Sequence, residues 1–288
     1  MSPPVHRAWP ARLAGIVRLT HPYPSVLNGL ITLALALVAG AEPATAVRLG
    51  AAMVALQASI GTVNDLVDVR LDAGRKLHKP IPGGLVGVGE ARIVAVAGLV
   101  IGLSLAAMSG PVTVGLAVVG VASGYAYDLR LKGSAVSWLP FAVGIPLLPV
   151  FAWVGASGGL PGAFALLVPL AALAGAALAI GNARADFERD LDAGSASVAT
   201  RLGLRRSWQV HAVIHVVVVA AAIWASWLTG NGRSWVPLAS AAAGLVILAG
   251  VALGRTGGPR QRELAWEVEA AGAGLLAVAW LVGAEGSR

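Results

Sequence analysis

Asn64-Asp65-Leu66-Val67-Asp68-Val69-Arg70-Leu71-Asp72 closes a long apolar run with three carboxylates and an amide. Charged groups at membrane depth are costly and usually functional. On a helix that turns about 100° per residue, Asp68 and Asp72 lie within about 60° of Asp65, so the three acids share one face. Three neighbouring carboxylates repel each other unless a positive charge lies between them. We expect Mg²⁺, which takes one or two carboxylates and leaves its other positions for water and phosphate oxygens.

The composition is that of a membrane protein. Of 288 residues, 57% are hydrophobic and 12% charged, and the mean hydropathy is +0.78. The chain has no cysteine, which excludes disulfides and thiolate metal sites. Apolar runs near the ~20 residues that cross a bilayer predict an all-α polytopic fold of about nine transmembrane helices. The predicted segments are 25–41, 49–66, 91–109, 112–128, 135–155, 160–182, 208–229, 234–254 and 266–283. We expect residues 1–24 to be a cytoplasmic lead-in and residues 25–288 to form a single transmembrane domain.

The charges predict the orientation. All but three of the 21 Lys and Arg residues fall on one side of the nine segments, the exceptions being Arg48, Arg233 and Arg288. By the positive-inside rule the N-terminus is cytoplasmic, in the plasma (inner) membrane of the cell. The net charge of +7 is explained by anionic headgroups and requires no nucleic acid partner. All acids except Glu42 and Glu285 lie on the same cytoplasmic side.

A second acidic cluster follows the sixth segment: Asp186-Phe187-Glu188-Arg189-Asp190-Leu191-Asp192. On a helix Asp186 and Asp190 are about 40° apart, whereas Glu188 and Asp192 point the other way. We therefore predict that Asp186 and Asp190 face inward and that the other two face water or a basic side chain. Asn182, one turn before Asp186, is a further candidate ligand.

Basic residues follow both clusters, and they indicate which ligand the acids serve. Arg75, Lys76 and Lys79 come after the first cluster, and Arg201, Arg205 and Arg206 after the second. Acids that hold Mg²⁺ beside cations that hold phosphate oxygens make a diphosphate site. Two such clusters at the same side of the membrane favour this interpretation over solvated surface charge.

These motifs resemble those of the UbiA superfamily of intramembrane prenyltransferases. Asn64 to Asp72 fits its NDxxDxxxD motif, and Asp186 to Asp190 fits its DxxxD motif. The resemblance extends to Lys79-Pro80-Ile81-Pro82-Gly83, to Tyr127-Asp128-Leu129-Arg130-Leu131-Lys132, and to the run from Gly194 to Gly203. The chain departs from the family pattern at three places. It has His21-Pro22 where the family often has Arg-Pro, and Ala196 where the family often has a basic residue. The arginine that commonly stands just before the first Asp of the second motif is displaced to Arg184.

The resemblance implies a Mg²⁺-dependent transfer of a prenyl group from a prenyl diphosphate to a hydrophobic or aromatic acceptor, such as a quinone precursor or a membrane lipid. It implies catalytic acids at Asp65, Asp68, Asp72, Asp186 and Asp190. The implied metal ligands are Asn64, Asp68, Asp72, Asp186 and Asp190. The implied substrate contacts are Arg75, Lys79, Tyr127 and Lys132, together with Asn28, whose polar group in the first segment suits either a substrate pocket or a hydrogen bond between helices.

Two alternatives remain open. A terpene cyclase of the same superfamily would ionise the same substrate and close the cation on its own double bonds. A cation transporter with an acidic vestibule should show related halves, whereas here the acids gather on one side. His211 and His215 stand at i, i+4 without a carboxylate nearby in the sequence, so we expect them at the membrane interface rather than at a metal.

Overall fold

The computed structural model describes residues 9–72, 79–229 and 235–285, and within them every regular element is helical. The elements are α1 (Trp9–Leu19), α2 (Pro22–Val38), α3 (Pro43–Asp72), α4 (Val88–Ala107), α5 (Pro111–Ala126), a π-helical turn (Tyr127–Leu131), α6 (Leu139–Ser157), α7 (Phe164–Ala185), α8 (Phe187–Asp192), α9 (Val198–Thr229), α10 (Trp235–Leu253) and α11 (Pro259–Glu285).

Eight of the described helices are long and apolar enough to cross a membrane, and α1 with α2 forms a further pair bent by 57°. The predicted all-α fold with about nine spans is therefore confirmed. The helices that are lengthened most relative to their predicted segments are α3, which runs from Pro43 to Asp72, and α9, which begins at Val198. Helix α3 extends past its apolar run because the polar residues at its ends are also helical. The first residues of α9 form a short helical stretch that a kink at Gly203 (φ 76°, ψ 158°) separates from the long span.

Glycine and proline end and restart the spans. Gly40, Gly110 and Gly158 follow helices and have φ values of 85°, 99° and 78°, a left-handed conformation that glycine adopts without steric cost. Pro43 and Pro111 then start α3 and α5, where a proline loses no helical hydrogen bond.

Small residues bring the helices close together. A Cβ on Gly29 of α2 would lie 3.0 Å from the Gly50 carbonyl oxygen of α3, and one on Gly98 of α4 would lie 2.7 Å from the Ala55 oxygen. On Gly175 of α7 it would lie 2.3 Å from the Phe141 oxygen of α6. In membranes, where lipid removes most of the hydrophobic drive between helices, such close backbone contact is the main source of packing energy.

Helices α2, α6, α7, α9, α10 and α11 surround an apolar cavity of about 110 Å³. Helix α3 packs between α2 and α4, and α5 packs against α6 on the outside. Helix α1 leaves Trp9, Leu13 and Val17 exposed at i, i+4 and i+8, a stripe typical of a helix lying in a membrane interface.

Candidate functional site

The first acidic cluster lies in the last two turns of α3. Asp65, Asp68 and Asp72 are buried, with 3%, 4% and 1% of their surface exposed. All three carboxylates approach one ammonium: Lys79 Nζ is 2.9 Å from Asp65 Oδ1, 2.7 Å from Asp72 Oδ2 and 3.9 Å from Asp68 Oδ2. The three acids therefore share one face, as the helical spacing predicts. In this structure the positive charge between them is a lysine.

Lys79 is held there by the segment that follows α3. The Lys79 carbonyl accepts a hydrogen bond from Gly83 N, and the Pro80 carbonyl accepts one from Leu85 N. Ile81 packs against Leu19 of α1. Burial alone would lower the pKa of Lys79, but the charges of Asp65 and Asp72 outweigh it and the net pKa is raised. Arg75, the other predicted cation here, lies outside the described residues.

His21 also reaches the first cluster, at the bend between α1 and α2. Its Nε2 is 3.2 Å from Asp65 Oδ1. Its φ of 48° is the only positive value among the described residues other than glycine, and such outliers concentrate at functional sites. A Cβ on Gly61 would lie 2.9 Å from the His21 side chain, so glycine makes room for the ring. The sequence did contain a signal for this contact. His21 replaces the arginine of the family's Arg-Pro pattern, and a histidine, like an arginine, can bond to an acid.

The π-helical turn after α5 adds a lysine and a further acid. Lys132 Nζ lies 2.6 Å from Asp68 Oδ2. Asn64, a predicted metal ligand, donates its amide to Asp128 Oδ1 at 2.7 Å. Asp128 is buried and was not among the predicted site residues, although it stands inside the quoted Tyr127–Lys132 stretch. The wider turn, closed by Lys132 N to the Tyr127 carbonyl at 2.8 Å, is of a kind often found at functional sites.

The second acidic cluster breaks at Asp186 rather than continuing one helix. Asp186 ends α7 and precedes α8, with φ −94° and ψ 7°. Even so, Asp190 is buried, Asp192 is exposed, and the exposed Glu188 carboxylate accepts a hydrogen bond from Arg262. This is the inward and outward division that the sequence predicts.

Arg189 neutralises the second cluster. Its Nη2 is 2.7 Å from Asp186 Oδ2 and 3.4 Å from Asp190 Oδ1. Burial would lower the pKa of Arg189, but Asp186 and Asp190 raise it, and Asp68 and Asp72 of the first cluster add to the rise. Burial raises the pKa of Asp190, and Arg189 offsets only part of that rise. Arg189 was missed as a site cation because it stands within the acidic run itself.

Hydrogen bonds join the two clusters at one end of the bundle, hereafter the polar end, which comprises Asp65, Asp68, Asp72, Asp186 and Asp190 with their partners. Asn182 Nδ2 donates to the Tyr127 hydroxyl at 3.1 Å, which links α7 to the π-helical turn. Ala196 N donates to the Gly133 carbonyl at 3.1 Å, which links the loops after the second cluster and after Lys132. The predicted residues Asn64, Lys79, Tyr127 and Lys132 therefore meet at the polar end.

The apolar cavity lies inside the bundle, on the same helices that carry part of the polar end. Asn28 and His215 are the polar residues in its wall, which is otherwise formed by side chains such as Leu35, Leu178 and Trp280. Leu178 stands one turn before Asn182 on α7. Asn28 therefore lines an apolar cavity, and a place in a substrate pocket was one of its two predicted roles.

The interfacial placement expected for His211 and His215 is wrong. Both are buried beside Glu269 of α11, and His211 Nε2 is 2.7 Å from Glu269 Oε2. The sequence did contain a signal, since Glu269 falls inside the predicted span 266–283. An acid within an apolar span requires a partner.

The polar end suits a hard cation. Among the described atoms, Asp72 Oδ1 is buried and has no hydrogen-bond partner, so its lone pairs are available to a metal ion. The carboxylates and the Asn64 amide are oxygen-bearing ligands of the kind that Mg²⁺ binds. Three cations nearby, Lys79, Lys132 and Arg189, are of the kind that binds phosphate oxygens.

Fold and site together define a polytopic helical membrane enzyme whose paired acidic clusters suit a metal and an anion above an apolar cavity. The chain belongs to the UbiA prenyltransferase family, whose sequence profile matches residues 25–280. It is thus an intramembrane prenyltransferase, and the transporter alternative is set aside.

Two curated relatives are named digeranylgeranylglyceryl phosphate synthase. The one from Methanoregula boonei is 30% identical over 253 residues, spanning 84% of this chain and 87% of the relative. The one from Methanoculleus marisnigri is 28% identical over 244 residues, spanning 84% of this chain and 82% of the relative.

Solved structures share the fold. A UbiA homologue from Archaeoglobus fulgidus bound to DMAPP and Mg²⁺ superposes with a TM-score of 0.71 at 20% identity, covering 93% of this chain and 98% of that one. The apo UbiA homologue from Aeropyrum pernix gives 0.71 at 22% identity, covering 90% and 95%.

Proposed function

We propose that this prenyltransferase uses Mg²⁺ to transfer an isoprenyl group from its diphosphate to the hydroxyl group of a glyceryl phosphate lipid. The observation that carries the proposal is the polar end, where two acidic clusters and three cations lie above an apolar cavity. An isoprenyl diphosphate has the matching form, an anionic head on an apolar tail. The A. fulgidus homologue bound to DMAPP and Mg²⁺ supports the same pairing of ligands.

In this proposal the two clusters hold the diphosphate from opposite sides. Asp68, Asp72, Asp186 and Asp190, with the Asn64 amide, would hold Mg²⁺ beside the catalytic acid Asp65. When bound, Mg²⁺ supplies Lewis-acid stabilisation of the charge that develops on the leaving diphosphate.

The protein's own cations act on the same charge. Lys132 and Arg189 are already fixed against Asp68 and Asp186, so they need little reorganisation to donate to diphosphate oxygens. Lys79 lies between the acids of α3, and binding of a metal there would free its ammonium for the diphosphate. Tyr127, held by Asn182, orients the head group.

The cavity determines whether water or the acceptor reaches the allylic cation. Its wall is formed by aliphatic side chains of α2, α6, α7, α9, α10 and α11 and by Trp280. Such a lining holds the prenyl tail and keeps water from the cation until the acceptor attacks. The names of the two curated relatives support a glyceryl phosphate acceptor.

The orientation belongs to the same proposal. The excess of Lys and Arg on one side of the spans supports a plasma (inner) membrane location with the polar end facing the cytoplasm. The family match over residues 25–280 supports a single transmembrane domain over residues 25–288, preceded by a lead-in over residues 1–24.

The test is diphosphate release by the purified protein in detergent with Mg²⁺, over prenyl diphosphates of increasing length. Each donor is offered alone, with a glyceryl phosphate lipid that has one free hydroxyl, and with a phenol, and products are identified by mass. Release that requires the lipid and yields an ether supports the proposal. An adduct with the phenol alone would assign an aromatic acceptor, and acceptor-independent release of a hydrocarbon would assign a cyclase.

A further inference from the structure

A second polar cluster lies inside the bundle, apart from the acids of the polar end. His211 and His215 of α9 and Glu269 of α11 are each at most 1% exposed. Glu269 Oε2 is 2.7 Å from His211 Nε2 and 3.5 Å from His215 Nε2. The two imidazole rings meet edge to face with centroids 4.8 Å apart.

Helices α7, α9 and α11 pack closely around this cluster. A Cβ on Gly181 of α7 would lie 3.3 Å from Glu269 Oε2 and 3.4 Å from His211 Nε2. A glycine at this position therefore lets the carboxylate and the imidazole lie directly against the α7 backbone. Gly181 precedes Asn182, whose amide bonds Tyr127 at the polar end. At a rise of about 1.5 Å per residue, Gly181 is only about 7 to 8 Å along α7 from Asp186.

His215 is the member of the cluster that reaches the cavity. It is a wall residue there together with Asn28, whereas His211 and Glu269 are not. Both of its ring nitrogens are buried without a hydrogen-bond partner among the described residues, and Nε2 is the one that approaches Glu269, at 3.5 Å. A buried imidazole nitrogen left unpaired is costly, and a ligand in the cavity would supply the missing partner.

The surrounding charges favour an acid–base group over a metal site. The ligand atoms of His211, His215 and Glu269 lie within 4.8 Å of one another, which also suits a transition metal. However, Arg184 of α7 is buried and interacts electrostatically with Glu269, His211 and Arg262. One carboxylate already faces that arginine. A divalent cation would add two positive charges to a region of low dielectric. A neutral histidine that gains a proton adds only one, and Glu269 lies beside it.

We propose that His215 is the base that takes the proton from the acceptor hydroxyl during prenyl transfer. This inference rests on the proposed function. The bond between the allylic carbon and the diphosphate oxygen breaks, and its electron pair leaves with diphosphate. A lone pair of the acceptor oxygen forms the new C–O bond. The proton of the hydroxyl goes to His215 Nδ1, and the electrons of the O–H bond stay on the ether oxygen.

Glu269 and His211 are positioning residues for this base. His215 Nε2 lies 3.5 Å from Glu269 Oε2. The tautomer that carries its proton on Nε2 therefore presents Nδ1 as the acceptor, and the carboxylate stabilises the imidazolium that forms. His211 holds the same carboxylate oxygen at 2.7 Å. The buried Arg184 of α7 interacts with the same two residues. These are the titratable groups that face His215 from α7, α9 and α11.

The decisive variant is His215→Gln, measured with donor, Mg²⁺ and a hydroxyl acceptor. Loss of a general base is expected to lower ether formation by about 10²-fold or more, while diphosphate release falls much less and prenyl alcohol appears where water captures the cation. Ser226→Ala is the matched control, since Ser226 is a buried polar residue of α9 whose hydroxyl donates to the Ile223 carbonyl within the same helix. It should leave the ratio of ether to diphosphate unchanged.

The pH profile separates a base from a structural role. In the unaltered protein kcat should fall on the acid side, because a protonated base cannot take the hydroxyl proton. Glu269→Gln should move that limb to lower pH without abolishing donor binding, because the carboxylate no longer stabilises the protonated ring. A wild-type profile flat from about pH 5 to 8 would overturn the proposal, even if His215→Gln does not fold. So would a His215→Gln variant with an unchanged ratio of ether to diphosphate. Finding stoichiometric Zn²⁺ in the purified protein, and its loss in His215→Gln, would also overturn the proposal and would show that the cluster is a metal site. Absence of diphosphate release from the wild-type protein would instead contradict the proposed function.

Discussion

The ammonium of Lys79 lies 2.7 Å from Oδ2 of Asp72, a residue of which only 1% is exposed. The same ammonium lies 2.9 Å from Asp65, so it occupies the space between the acids of α3. If these acids hold Mg²⁺, as we propose, the protein must still be able to fold before the metal binds. Lys79 neutralises the acids in that state, and Lys132 and Arg189 do the same for Asp68 and Asp186.

Lys79→Met should destabilise the protein by about 3 to 5 kcal/mol when Mg²⁺ is removed with EDTA, because three buried acids lose their shared cation. Thermal unfolding in detergent measures the effect, and Mg²⁺ should raise the Tm of the variant more than that of the wild type. A Lys residue with a raised pKa contributes stability that is complete below its ordinary pKa and is lost only as pH rises through the raised value. The difference should therefore persist across about pH 6 to 9.

Arg130→Met is the control for Lys79→Met, because Arg130 is an exposed cation of the nearby π-helical turn. Its loss should change the Tm little. Equal Tm values for Lys79→Met and wild type in EDTA would show that Lys79 does not hold the acids together.

Asp68→Asn and Asp190→Asn should each lower diphosphate release by at least about 10²-fold, because in the proposed function each removes a buried charge from the site that stabilises the transition state. Diphosphate release by purified protein measures this, with the elution profile in detergent as the check on folding. Near-normal turnover in either variant would contradict the assignment of the acids.

The second cluster supplies its own controls. Asp192→Asn and Glu188→Gln remove exposed carboxylates, and Glu188 is engaged with Arg262, so both variants should retain activity within a few-fold. Losses equal to that of Asp190→Asn would mean that all the acids of α8 face the substrate.

Trp280→Ala should allow longer donors. Trp280 is 4% exposed and lines the cavity, about 16 Å along α11 from Glu269, so its removal extends the space for the tail. Competition between prenyl diphosphates of different lengths measures the change as a ratio of kcat/KM values. Trp153→Ala removes an equally buried tryptophan that does not line the cavity, at a similar cost of about 3 to 5 kcal/mol. The same shift in both variants would indicate general loosening.

Gly175→Ala should lower stability by about 1 to 3 kcal/mol through overpacking, because the new Cβ would lie 2.3 Å from the Phe141 carbonyl oxygen and would push α6 from α7. Gly120→Ala in α5 is the control, since nothing lies within 4 Å of a Cβ there. It should be neutral or slightly stabilising. The Tm in detergent measures both, and a stable Gly175→Ala would show that α6 and α7 separate freely.

Helical periodicity made much of the site predictable. Asp65, Asp68 and Asp72 share a face because of their spacing on one helix, and Asp190 turned inward while Glu188 turned outward for the same reason. Contacts between distant parts of the chain were not predictable in this way. Asn64 and Asp128 are 64 residues apart and His211 and Glu269 are 58 apart, and which of them meet depends on how the helices pack. The error over His211 and His215 came from judging a cluster by its neighbours in sequence alone.

The sequence by itself determined the membrane fold, the positions of most spans, the two acidic clusters and the family, because apolar length and spacing along a helix are local properties. The tertiary structure decided which cation stands among the acids, brought Asp128 and Arg189 into the polar end, and buried His215 beside Glu269 at the wall of the cavity. Those pairings follow from close contacts between helices, where a glycine such as Gly61 or Gly181 sets how near two side chains can come.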